Sequence, residues 1–313
     1  MSILITGGAG FIGSNLADYL ITHNEDIVVI DNFDDYYPVE LKEENIRRNL
    51  SNTHYKLYRG DICDRKFLST IFSENNITCV VHLAACAGVR NSFLNLQKYI
   101  RVNIEGTANI LEEMRKNNIS KIVFASSSSV YGNCFADIFS ENLTDLKPIS
   151  PYAMTKLAGE QLIQVYSNTY NINAVCLRFF TVFGPRQRPD LAIRKFSECI
   201  KKGEPITVYG DGTTLRDYTY IDDVVRGIVA AIQYNKTSYE IINIGSGNPI
   251  SLIDMISALE EVIGIKAKVK CFPLQKGDVY KTNADITKAN KLLSYRPQIS
   301  LKEGVLKYIT SQL

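Results

Sequence analysis

Tryptophan is absent, and histidine is nearly so, with three in 313 residues. The seven cysteines stand singly at 63, 79, 86, 134, 176, 199 and 271, with no CxxC pair and no Cys/His cluster. That argues against a zinc site and a disulfide framework, and for reduced thiols in a cytoplasm. Neither sign of charge is in excess: 35 basic residues face 33 acidic ones, for a net +2. Nothing therefore points to a nucleic-acid or membrane-surface partner. Apolar runs are short, such as Ile27–Ile30, far below the roughly 20 residues of a membrane span. A basic leader is missing and glycines interrupt the first apolar residues, so no signal peptide is expected.

What is present is ordinary globular material, 45% hydrophobic and 22% charged, which excludes disordered, collagen-like and coiled-coil classes. At roughly 100–200 residues per domain the length suggests two lobes. The first half alternates strand and helix patterns. Ser2–Thr6, Asp26–Asp31, His54–Arg59, Thr78–Leu83, Lys121–Ala125 and Asn173–Phe179 read as strands. Helical periodicity fills Phe11–His23, Asp64–Glu74, Asn91–Asn117 and Tyr152–Tyr170. Continuous apolar strands such as DIVVID belong to a sheet covered on both faces. The fold class is α/β, a doubly wound parallel sheet with right-handed crossovers. Past residue 180, glycine-rich turns punctuate shorter elements, so 1–180 is expected to form the nucleotide-binding domain. Residues 181–313 are expected to form a smaller mixed α/β lobe, partly interleaved with it.

Gly7-Gly8-Ala9-Gly10-Phe11-Ile12-Gly13 lies between a strand and a helix and satisfies G-x-G-x-x-G. Its context makes it specific, because an acid, Asp31, ends the next strand 18 residues past Gly13. Glycines let the backbone approach a pyrophosphate, which the helix N-terminus attracts. A carboxylate at Asp31 accepts hydrogen bonds from a ribose diol and repels a 2′-phosphate, favouring NAD over NADP. Asp61 either faces the adenine or caps the helix that follows. Tyr152 and Lys156, four apart on a helix, share one face. A phenol with a pKa near 10 is a poor base at neutral pH, and a neighbouring ammonium is expected to favour the phenolate.

This constellation resembles the extended short-chain dehydrogenase/reductase family of nucleotide-sugar epimerases and dehydratases, a Rossmann-fold family. Along essentially the whole chain the carriers are the glycine loop, Gly60-Asp61, His82–Ala85, Asn103–Thr107, Ser126–Gly132, Tyr152–Lys156, Arg178–Pro185, Arg216–Asp223 and Gly277-Asp278. Within the family the likeness is greatest to UDP-glucuronate 4-epimerases, through Asp31–Tyr37, Ala87–Arg90, the four serines 126–129 and Arg178–Asp190. The resemblance implies that Ser127, Tyr152 and Lys156 are catalytic, with Tyr152 taking the proton of the sugar C4 hydroxyl. It also implies a tightly bound NAD, touched by Gly7, Gly10, Phe11, Ile12, Gly13, Asp31, Asn32, Asp61, Ile62, Leu83, Ala84, Ala85, Asn103 and Phe179, besides Tyr152 and Lys156. Substrate contacts are implied for Arg90, Ser127, Ser128, Ser129, Thr181, Arg188, Arg216 and Asp278.

Family dehydratases carry Asp-Glu after the catalytic Ser/Thr, and related decarboxylases carry a Glu nearby. Ser128 and Ser129 occupy those places here. Elimination is therefore disfavoured, and two hydroxyls can hold a carboxylate instead. The alternatives are a UDP-glucose or UDP-N-acetylglucosamine 4-epimerase and, from another class, a non-catalytic NAD-binding sensor. A homodimer through the 91–117 and 152–170 helices is also implied.

Overall fold

The computed structural model describes residues 1–134, 136–273 and 279–312. Within them the N-terminal half runs β1 (Ser2–Thr6), α1 (Phe11–Thr22), β2 (Asp26–Asp31), α2 (Val39–Ile46), β3 (Tyr55–Arg59), α3 (Arg65–Glu74) and β4 (Ile77–His82). It continues through α4 (Val89–Leu94), α5 (Leu96–Ile100), α6 (Gly106–Lys116), β5 (Lys121–Ser127), α7 (Pro151–Tyr170) and β6 (Asn173–Phe179). Then come β7 (Thr181–Phe183), α8 (Ala192–Lys202), β8 (Pro205–Tyr209), β9 (Leu215–Tyr220), α9 (Ile221–Gln233) and β10 (Tyr239–Ile244). The chain ends through β11 (Pro249–Ser251), α10 (Leu252–Ile263), β12 (Lys268–Phe272), α11 (Thr287–Leu293) and α12 (Leu301–Thr310).

Seven described strands form one parallel sheet in the order β10-β6-β5-β4-β1-β2-β3. Strand periodicity sends alternate residues to opposite faces. Ile3, Ile5, Val29 and Val81 pack on one side with α1 and α9, while Leu4, Val28, Ile30 and Val80 pack on the other with α3, α6 and α7. Both faces are buried, as the continuous apolar strands required. The seventh strand, β10, and the covering helix α9 come from the C-terminal part of the chain, so the two halves interleave. Two small described sheets, β11-β9-β7 and β12-β8, build the rest of the smaller lobe. The chain order reverses between β1 and β4, and at such a switch point the loops diverge to leave a crevice above the strand ends.

Three local features differ from the sequence pattern. The helix expected across 91–117 breaks at Asn95 (φ −130°, ψ 40°) and widens into a π turn over Arg101–Glu105 before α6. Hydrophobic period alone does not register such a turn, which often marks a functional site. The polar segment VELKEENI forms α2 although its sequence carries little apolar stripe. Asp64, not Asp61, caps α3, accepting from Lys66 N and Phe67 N, and Asp61 instead accepts from Cys63 N.

The start of α7 is set locally. Ser150 accepts from Ala153 N and Pro151 occupies the first turn, both favourable at a helix N-terminus. Tyr152 therefore enters on the first turn, with Lys156 and Glu160 one and two turns behind it. Gly159 lets α7 lie close on β5, since a Cβ there would sit 2.6 Å from the Phe124 ring.

Candidate active site

A cavity of about 490 Å³ opens above the strand ends at the switch point. Its floor is the glycine loop. Gly7 takes φ +70°, and a Cβ on Gly13 would lie 2.4 Å from the Gly7 carbonyl oxygen. Only glycine permits this cradle, whose backbone can lie against a phosphate. Asp31 is buried at the cavity wall, its two oxygens accepting from Ala9 N (3.0 Å) and Phe33 N (2.8 Å), with Lys42 Nζ 4.0 Å away. Burial raises its carboxyl above the usual range, against the Lys42 charge and the two backbone donors. The remaining lone pairs suit a ribose diol. Gly7, Gly10, Phe11, Ile12, Gly13, Asn32, Asp61, Ile62, Leu83, Ala84, Ala85 and Phe179 line the same cavity. The residues fit an extended dinucleotide.

At the far end stand Ser127, Tyr152 and Lys156. Ser127 lies against the Tyr152 hydroxyl closely enough to pull the phenol's pKa down. The Ser127 hydroxyl also meets Ser129 Oγ (3.1 Å) and accepts from Ser129 N (3.1 Å). Lys156 Nζ donates to the Ala125 carbonyl (2.7 Å), and burial brings its pKa down to about 8. For Tyr152 burial dominates and raises the phenol above its ordinary value, while Ser127 and the Arg188 guanidinium pull it down. The Lys156 ammonium is held on the β5 carbonyl, and the Arg188 guanidinium is a cation that pulls the phenol down.

Ser128, Ser129 and Thr181 line both the main cavity and an annex of about 160 Å³ that Arg216 and Thr282 also border. Arg188 lines the main cavity and is held by both arms to Asp190 (2.9 Å each). Arg216 donates to the Leu215 and Tyr280 carbonyls. Two of the expected contact residues are not among those that line the cavity. Asn103 sits one layer behind the cavity wall, where its amide exchanges hydrogen bonds with Cys86 N and O and donates to Thr155 Oγ1. Arg90 stacks on Tyr209 of the smaller lobe (4.7 Å). Asp278 lies outside the described residues.

Sequence reasoning missed several neighbours. Tyr99 is buried, meets Tyr152 edge-on (6.3 Å) and donates toward the Ala87 and Gly88 carbonyls. Tyr36, Tyr37 and Lys98 line the cavity, and Lys98 bridges to Asp34 (2.6 Å). The tyrosine-rich stretch after Asp31 was the one signal available. His82 is a satisfied core group between Thr6 and Thr107, its pKa brought down to about 3 by burial and then by Lys156.

The Asp31 wall yields a direct test. Asp31→Ala should weaken NAD binding and narrow the preference over NADP, measured as dissociation constants for both. Unchanged affinities would remove Asp31 from the adenosine ribose site.

Comparison with known proteins places this geometry. Residues 3–245 match the model of the NAD dependent epimerase/dehydratase family. The UDP-glucuronate 4-epimerase of Thermodesulfobacterium geofontis is 42% identical over 307 residues, covering 98% of this chain and 94% of the relative. The solved UDP-glucuronic acid 4-epimerase of Bacillus cereus, in complex with UDP-glucuronic acid and NAD, is similar at a TM-score of 0.93 and 40% identity, covering 100% of this chain and 99% of that one. The UDP-glucose 4-epimerase of Thermotoga maritima, solved with UDP-glucose, follows at a TM-score of 0.92 and 33% identity, covering 100% and 98%. The chain thus belongs to the NAD dependent epimerase/dehydratase family.

Proposed function

We propose that the chain is a UDP-glucuronate 4-epimerase, interconverting UDP-glucuronate and UDP-galacturonate through a transient 4-keto sugar. The observation that carries the reading is the sugar end of the cavity. Hydroxyls of Ser128, Ser129 and Thr181 stand beside Ser127 and Tyr152, and the described acids of the cavity, Asp31, Asp34 and Asp61, all belong to the strand ends and loops of the dinucleotide half. The B. cereus enzyme crystallised with UDP-glucuronic acid supports the same substrate.

Bound NAD supplies the hydride acceptor and donor. The chain's own residues do the rest. Tyr152 takes the C4 hydroxyl proton and returns it, and Ser127 shares that hydrogen bond. Lys156 is fixed by Ala125, and the Arg188 charge offsets part of the burial that holds the phenol protonated. Oxidation at C4 creates a β-keto acid, which loses CO₂ most easily when the C5–carboxylate bond stands perpendicular to the ketone plane. Hydroxyls that grip the carboxylate hold it away from that geometry. Arg188 and Arg216 face the nucleotide diphosphate, for which a planar guanidinium is suited.

The reading extends to a homodimer in a reducing cytoplasm. Phe93, Leu94 and Leu96 around α4 and α5, with Met154, Val165 and Tyr170 on α7, are exposed apolar side chains that a second copy would cover. All seven cysteines are free, and no helix among the described residues is long and apolar enough to cross a membrane.

Tyr152→Phe should lower kcat by at least about 10²-fold while leaving the bound cofactor in place, because only the proton-transfer group is lost. Near-normal turnover would remove Tyr152 from the chemistry. Changing Ser128 or Ser129 to Ala should raise KM for UDP-glucuronate, since a charge-assisted hydrogen bond is worth about 1.5–3 kcal/mol. It should also release a UDP-pentose and CO₂ as side products, resolved by chromatography. Normal epimerisation without decarboxylation would misplace the carboxylate, and a wild-type preference for UDP-glucose would overturn the substrate.

A further inference from the structure

Behind the serine turn lies a buried ion pair that the reaction described so far does not use. Glu160 on α7 is 0% exposed and Arg178 on β6 is 2% exposed. The guanidinium meets the carboxylate with two parallel hydrogen bonds, Nε to Oε1 (2.9 Å) and a terminal nitrogen to Oε2 (2.7 Å). Taking two charges out of water costs several kcal/mol per ion, and a well-packed apolar pair is often as stable. Stability alone therefore gives little reason for this pair to sit in the core.

Its contacts suggest another reason. Ser126 donates its hydroxyl to Glu160 Oε1. Ser126 is also the register partner of Arg178 across β5 and β6. On the other side, the Arg178 guanidinium lies on the Tyr131 ring (4.7 Å), and the Tyr131 hydroxyl donates to Asn243 Oδ1 of β10 (2.7 Å). Ser126 and Tyr131 are the two flanks of the turn that presents Ser127, Ser128 and Ser129. One flank is thus tied to the carboxylate and the other to its guanidinium partner, and that carboxylate stands two helical turns behind Tyr152 on the face that carries Lys156.

We propose that Glu160 is a positioning residue for the epimerisation: paired with Arg178, it clamps the serine turn at both ends to the helix that carries Tyr152 and Lys156. The clamp rests on the functional reading above only for the identity of the substrate. It sets the separation of Ser127 from Tyr152 and aims Ser128 and Ser129 at the sugar. Misplacement on the scale of an ångström costs about 10²-fold in rate. A second effect follows from charge. Lys156 is faced by Cys86 from the loop after β4, by His82 of β4 and by Glu160 of α7, with Arg178 behind Glu160. Burial lowers its pKa, and Cys86 and Glu160 raise it. Replacing Glu160 by a neutral group removes an anion and leaves the Arg178 cation, so Lys156 loses its proton at lower pH.

Two variants test this. The double variant Glu160→Leu/Arg178→Met removes both charges together, and its melting temperature should stay near that of the wild type. It should keep its bound cofactor, yet kcat should fall about 10–100-fold and KM for UDP-glucuronate should rise. Glu160→Gln keeps an acceptor for Ser126, and its alkaline limb in kcat should move to lower pH. A folded double variant with wild-type kcat and KM would overturn the clamp. If the double variant does not fold, Glu160→Gln decides alone, and wild-type kcat with an unmoved alkaline limb would overturn the proposal equally. Wild-type turnover is the control that separates the two readings. If the wild type acts on UDP-glucose instead, the substrate assignment fails and the same variants are compared on UDP-glucose.

Discussion

A phenol must give up and regain a proton in a place where burial makes ionisation harder. Much of the site follows from that constraint. Tyr152 is enclosed between α7, the loop after β4 and the serine turn, and this enclosure raises its proton affinity. The offsetting groups come from separate parts of the chain: Ser127 from the end of β5, and Arg188 from the loop after β7. Each works only at short range, so the elements that carry them must be held in register. The close approach of α7 to β5 at Gly159, the bond from Lys156 to Ala125 and the Glu160–Arg178 pair all serve that end.

The sheet supplies the other half of the geometry. Its chain order reverses between β1 and β4, opening a crevice where the glycine loop, Asp31 and the loop after β4 converge. The C-terminal part of the chain then adds Arg188 and Thr181 to the cavity wall and Arg216 to the annex beside the serine turn. Because β10 and α9 return to the main sheet, this lobe is anchored in the same core as the dinucleotide cradle. One buried carboxylate, Asp217, joins the pieces further by accepting from Ser246 N, Gly247 N and Ala284 N. The residues proposed for proton transfer, carboxylate grip and nucleotide grip are therefore set against one frame.

The parts legible in the sequence were those written in short spacings. The glycine loop, the Tyr152/Lys156 helical pair and the serine run are each patterns of a few residues, Asp31 ends the very next strand, and the structure brings all of them to one cavity. The strands were legible because both faces of the sheet are buried, which makes them continuously apolar. What escaped depends on distance in the chain. The helix period runs through 91–117 without marking the break at Asn95 or the π turn that places Asn103 behind the cavity wall. Tyr99 looks like one more helical aromatic until it is seen against Tyr152. Glu160 and Arg178 stand 18 positions apart, and only the packing of α7 on β6 shows them buried against each other. The bond from the Lys156 ammonium to the Ala125 carbonyl likewise joins residues 31 positions apart.

In the proposed reaction a half-buried tyrosine, with a carboxylate-gripping serine turn, inverts C4 without releasing the sugar's own hydrogen. The most direct measurement follows deuterium placed at C4 of UDP-glucuronate through many turnovers, with products examined by NMR and mass spectrometry. Both UDP-glucuronate and UDP-galacturonate should keep the label at C4, with no exchange into solvent. Loss of the label to water during epimerisation would contradict it.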